Sequence, residues 1–195
     1  MKGLRWVAVL VAVAATLVLP AVEARAPVVE AQSWTIGQIG AAVVRPKQRN
    51  SLQDAIRRVR EAERQIGAQP SAGMKRAAWV GGAIPVALLV AGAAAVLSWV
   101  WLLLGWRRAL AADAIVGVAA CGYALIASWW LTREVQTAAA QVLQQAQQGP
   151  LGGFLHQLGV KPLPQWAGQF ALAPQAGVWV LLLAFLALLA IPQTA

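Results

Sequence analysis

From Ala77 to Trp106 the chain runs without one charged side chain, with Lys75 and Arg76 just before the run and Arg107 and Arg108 just after it. Crossing a bilayer core of roughly 30 Å takes about 20 helical residues, so a basic-bracketed apolar run of this length reads as a transmembrane helix. Lipid offers the backbone no water, and such a segment must therefore close its hydrogen bonds internally. A second run, Ala111 to Leu131, follows the short link "GWRRAL", and so short a connection forces an antiparallel hairpin. The spans are placed at 80–104 and 111–131 within a hairpin of 77–131. A third run, "GVWVLLLAFLALLAI", is short for a span but has no polar face, so a transmembrane helix over 177–192 is preferred to a surface helix.

Composition agrees. Charged residues make up 12% of the 195 residues and mean hydropathy is +0.62, whereas an ordinary soluble domain carries about 25% charged residues. The expected fold class is all-α: a helical integral membrane protein with a signal-like N-terminus, three transmembrane helices and extramembrane amphipathic helices. Residues 1–24 show a charged start (Lys2, Arg5), an apolar stretch from Trp6 to Leu19, a breaking Pro20 and the small-residue site "VEA" ending at Ala24. This is the layout of a secretory signal peptide, with cleavage expected after Ala24; the alternative is an uncleaved signal anchor, which adds a fourth span.

Residues 25–76 form a basic extramembrane arm that holds ten of the sixteen Lys and Arg residues, out of a net charge of +9. Its first half, residues 25–50, has no sustained period and reads as an irregular or partly extended arm. "SLQD" at Ser51 is a capping box opening an amphipathic helix over 51–67, whose apolar stripe includes Leu52, Ile56, Val59 and Ile66. These four form the candidate docking face. Anionic lipid head groups are the partner such a basic block beside a span implies, and no nucleic-acid-binding motif is present. Residues 132–176 read as a helical extension out of the membrane, followed by a Gly- and Pro-rich interfacial loop.

Within the spans, Ala87, Ala91 and Ala95 recur every fourth residue, and Gly117, Cys121 and Gly122 give the second helix a matching small-residue ridge. Such ridges let helices approach closely in lipid, so they are the candidate packing surfaces. Membrane-interface anchors are Trp79, Trp129, Trp130 and Trp179 at one end and Trp99, Trp101, Trp106, Arg107 and Arg108 at the other. Orientation stays open between two signals. The signal-like start puts residues 25–76 outside the cytoplasm, as expected for a protein of a bacterial cytoplasmic membrane, whereas the positive-inside rule draws the basic arm inward.

Chemistry is thinly supplied. Asp113 is the one ionisable residue within the spans, and its place in an early helical turn suits the helix dipole better than an ion pathway. The single Cys121 excludes an intrachain disulfide, and the single His156 gives neither a metal cluster nor an axial haem ligand inside a span. The sequence predicts no cofactor and no catalytic or metal-binding set. The expected function is an accessory or scaffold subunit of a larger membrane complex, partnered by other membrane subunits or by itself. A self-assembling pore or transporter component is the alternative, and a membrane-embedded enzyme using His156 or Glu134 is the third reading.

Overall fold

The computed structural model describes residues 2–26, 29–44, 72–148 and 171–191. In chain order the elements are α1 (Lys2–Val18), β1 (Pro20–Ala26), β2 (Val29–Thr35), α2 (Ile36–Val44), α3 (Ala72–Leu104), α4 (Arg107–Gln148), β3 (Ala171–Pro174) and α5 (Ala176–Ala190). The chain is mostly helical, and two helices are long and apolar enough to cross a membrane, over Arg76–Leu104 and Arg107–Ala138.

The hairpin of α3 and α4 turns on Gly105, whose φ of +72° is open to glycine and strained for other residues. Beyond the last helical residue, the Gly105 amide donates to the Leu102 carbonyl at 3.3 Å and the Trp106 amide to that of Trp101 at 3.0 Å. This paired closure satisfies carbonyls left over at the helix end, and it brings the flanking side chains together. Trp101 and Trp106 stack accordingly, with ring centroids 5.4 Å apart and planes 7° apart. Ser98 meets Asp113 near the turn, and Gly81 lies against Leu131 at the other end, so the two helices run antiparallel along their apolar length.

The shorter helices α1 and α5 pack beside this hairpin. Helix α1 buries Ala8, Val9, Ala12, Ala15 and Thr16, and α5 buries Gly177, Val178, Leu181, Ala184, Phe185 and Leu188. Both sets recur at three- and four-residue spacing, which gives each helix one inward face. Two glycines permit the close fit. A Cβ on Gly117 of α4 would lie 2.5 Å from the ring of Phe185, and one on Gly177 of α5 would lie 2.7 Å from the Pro20 carbonyl oxygen.

Where α1 ends, the chain departs from the all-helical expectation. A three-stranded antiparallel sheet in the order β2-β1-β3 occupies residues read as the end of the signal segment, an irregular or partly extended arm and an interfacial loop. Its register sets Val22 opposite Trp34 on one side and Pro174 on the other, with Ala24 between Gln32 and Leu172. The three strands hold seven, seven and four residues. Strands this short, with alternation limited to Val22–Ala26 and the start of β2, leave little periodic trace, and β3 joins from far along the chain. Strand β2 then passes into α2 through a reciprocal capping box: the Gln38 amide donates to Thr35 Oγ1 at 3.2 Å, and the Thr35 amide to Gln38 Oε1 at 2.9 Å. The bond after Ala24, the expected cleavage point, lies within β1, the central strand. The amphipathic helix 51–67, with Leu52, Ile56, Val59 and Ile66, and the loop carrying His156 lie outside the described residues.

Overpacking the α4–α5 contact tests this arrangement. Gly117→Val, which forces a side chain into Phe185, is expected to cost about 1–3 kcal/mol and lower the Tm in mild detergent by several degrees. Gly122→Ala, where an added Cβ meets nothing within 4 Å, is expected to melt like the parent.

Candidate functional site

Polar groups at the level of the spans are few, and the structure shows how each is used. Ser98 on α3 is fully buried, and its Oγ donates to Asp113 Oδ2 at 3.0 Å across the hairpin. Because α4 begins at Arg107, Asp113 stands in its second turn and not among the free amides of the first, so its partner is Ser98 and not the helix end that the sequence suggested. Thr16 and Ser128 donate instead to their own helices, to the carbonyls of Val13 and Ala124, each at 2.7 Å. Among the described residues no buried side-chain nitrogen or oxygen lacks a partner, and no three His, Cys, Asp or Glu side chains converge. Cys121 is fully buried in the apolar core.

At the sheet, a second polar constellation ties elements together. The Glu23 carboxylate accepts from Arg25 Nε at 2.5 Å and from the side-chain amide of Gln175. Glu23 raises the Arg25 pKa above its ordinary value, through their hydrogen bond and then by charge attraction. The Gln175 amide donates to the Ala21 carbonyl at 2.8 Å, so the start of α5 is moored to β1 by backbone and side chain together. On the far edge of β3, Thr132 of α4 serves both polar groups of Leu172: it receives the amide at 3.0 Å and donates to the carbonyl at 3.3 Å. The contacts of Gln175 and Thr132 link positions far apart in sequence and had no local signal. The capping box at Thr35 did have one, the T-x-x-Q spacing.

The small-residue positions divide by role. Ala91 and Ala95 are buried in the bundle, Gly117 receives Phe185 of α5, and Cys121 is enclosed. Ala87 faces outward and joins Ala78, Trp79, Gly82, Ala83, Val86 and Tyr123 around a shallow apolar groove of about 590 Å³, open to the surroundings. Gly122 is partly buried with open space at its Cβ position.

The aromatic anchors lie toward the two ends of the hairpin. Trp79, Trp129 and Trp130 flank the Gly81–Leu131 contact, and Trp179 stands in the first turn of α5. At the opposite end are Trp99, Trp101 and Trp106 with the exposed Arg107 and Arg108. Trp79 is the most open, at 81% exposure. The Arg133 guanidinium lies 3.9 Å from the Trp129 ring centroid, a cation–π contact at the sheet end.

The Ser98–Asp113 bond is a polar side-chain link between α3 and α4 near their turn, and a double-mutant cycle isolates it. Ser98→Ala and Asp113→Ala are expected to show a coupling of about 1 kcal/mol in detergent unfolding. Independent effects at the two positions count against a structural clasp. Compared with known proteins, the chain matches no family model, no curated sequence and no solved structure.

Proposed function

We propose that the chain is an integral membrane protein, anchored by α1, α3, α4 and α5, that acts as a non-catalytic accessory or scaffold subunit of a larger membrane assembly. The observation that carries this reading is the outward apolar surface of the two long helices. Val86, Val90, Val96, Leu97, Val100 and Leu103 on α3, with Ile115, Val116 and Ile126 on α4, stand exposed. Only 33% of each candidate span's most apolar window is buried. A core helix of a soluble protein is mostly covered, and a water-soluble monomer rarely shows contiguous apolar patches above a few hundred Å². Lipid is the solvent in which this surface costs nothing.

Helices α1 and α5 have 17 and 15 residues, or about 25 and 22 Å of rise. Each is shorter than the hydrocarbon core, and both meet the sheet at the same end. The reading therefore sets the sheet at the head-group level on one side of the membrane. It also keeps α1 as a retained anchor, because cutting after Ala24 removes Val9, Ala12 and Ala15 from the core and severs the central strand.

With α1 in place, Lys2 and Arg5 share an end of the bundle with Arg107 and Arg108, while Arg25, Arg76 and Arg133 belong to the sheet end. Cations thus stand at both ends, and the orientation proposed here, with the sheet outside, rests on the basic start of α1 as the first hydrophobic segment. The scaffold role is supported by what the sheet end offers. Helix α4 continues past Leu131 to Gln148, and with the sheet it supplies projecting surfaces for other subunits. Among the described residues the buried hydroxyls of Thr16, Ser98 and Ser128 are all engaged, which supports a packed interior over a pathway.

Two measurements test these statements. In a Cys121→Ala background, Ala31→Cys on β2 is expected to react with an impermeant maleimide in intact cells and Arg108→Cys only after permeabilisation. The reverse pattern inverts the orientation, and a mature N-terminus at Arg25 removes the α1 anchor. Affinity purification in mild detergent is expected to bring down stoichiometric membrane partners, and recovery as a lone monomer counts against a scaffold.

A further inference from the structure

The groove on the outer face of α3 joins an apolar channel to a basic head, and the combination specifies an occupant. Its lining, from Ala78 to Ala87, extends over nine residues of helix, a rise of about 14 Å. Gly82 forms part of the floor, and a Cβ there would meet nothing within 4 Å, so the channel is open rather than filled by neighbouring side chains. At its upper end Trp79 projects outward at 81% exposure, the position an indole takes at the head-group level. One turn further out on the same face stands Arg76, exposed, with Lys75 before it in sequence. Among the described residues no acidic side chain lines the groove.

We propose that this groove is a binding site for one anionic phospholipid, with an acyl chain along Gly82, Ala83 and Val86 and the phosphate head group at Arg76. The proposal rests on the reading of α3 as a membrane span. Hydrocarbon tails are as apolar as the groove, so the tail supplies fit by shape and little net driving force. Selection comes from charge, since a basic side chain near the head-group plane favours an anionic lipid over a zwitterionic one about fivefold. This charge complementarity separates the lipid from a second helix of the same chain, which would bring its own Lys75 and Arg76 or its Arg107 and Arg108 toward the same position.

The experiment uses the full chain in nanodiscs of equal phosphatidylglycerol and phosphatidylcholine, followed by native mass spectrometry after gentle release. The expected result is one retained lipid per chain, with phosphatidylglycerol favoured about fivefold and the preference weakened by high salt. Arg76→Gln is expected to remove the preference while retaining a lipid. Gly82→Leu, which fills the floor without a clash in the monomer, is expected to lose retained lipid of both kinds at unchanged Tm, and Ala78→Leu repeats the test nearer the head group. Equal retention of the two lipids by the parent chain overturns the site alone, as does a dimer that Gly82→Leu dissociates with lipid counts unchanged. A chain that fails to enter nanodiscs overturns the membrane reading and the site with it.

Discussion

Backbone groups freed at the end of an apolar helix need partners at once, and both α1 and α5 stop well short of the long hairpin they pack against. In the proposed membrane setting, bare groups of this kind beside hydrocarbon cost several kcal/mol each. The sheet is the answer to this constraint. Strand β1 leaves α1 after a single residue and is paired on both edges, with β2 returning beside it and β3 leading into α5. Its remaining obligations fall to side chains that reach in from the helices: Thr132 completes Leu172, and Gln175 joins Glu23 and Ala21. The attachment of α2, α4 and α5 to the sheet thus follows from satisfying one short run of backbone.

The same constraint explains which parts of the fold were legible in the sequence. A span is a local property, since its hydropathy and length are visible residue by residue, and the stretches around Ala77–Trp106 and Ala111–Leu131 fall within α3 and α4. The turn was legible too, because a link as short as Gly105–Trp106 admits few geometries. The sheet was not. Its central strand, "PAVEARA", opens on a proline and alternates over only five residues, Val22 to Ala26, and its pairing with Ala171–Pro174 depends on residues about 150 positions apart. Here tertiary hydrogen bonding overrides weak strand propensity. The T-x-x-Q box at Thr35 was readable in principle, but a helix of nine residues following an arm without periodicity carries little weight on its own.

Small residues show how far pattern reading reaches in a membrane-type core. Spacing of four marks positions where a helix can be approached, yet it does not name the approaching partner. Ala91 and Ala95 are covered within the bundle, Gly117 takes Phe185 from α5, and Ala87 borders an open groove. The stripe is shared among three environments because a helix turns 100° per residue and α3 and α4 have neighbours on some faces only. Ser98 was passed over because one serine in an alanine-rich run has no distinguishing context. Its role appears only when the Gly105 turn brings Asp113 opposite.

The N-terminal segment brings two demands onto one stretch of chain. A leader must be basic at its start, apolar through its middle and broken near its end, and a short helix that anchors a small bundle needs the same three features. Hydropathy therefore does not separate the two, and the proposal of a retained α1 rests on its packing. A leader bound for removal has no reason to carry one interdigitating face, whereas Val9, Ala12, Ala15 and Thr16 recur at helical spacing and are buried while Leu10, Val11, Leu17 and Val18 stay exposed. Pro20, which reads as the break before a cleavage site, also suits the first position of a strand, where a missing amide donor is tolerated. Its carbonyl lies where only a glycine at position 177 leaves room for α5 to start. The features that make residues 1–24 resemble a disposable leader are, in the folded chain, those that seat the first helix against the last.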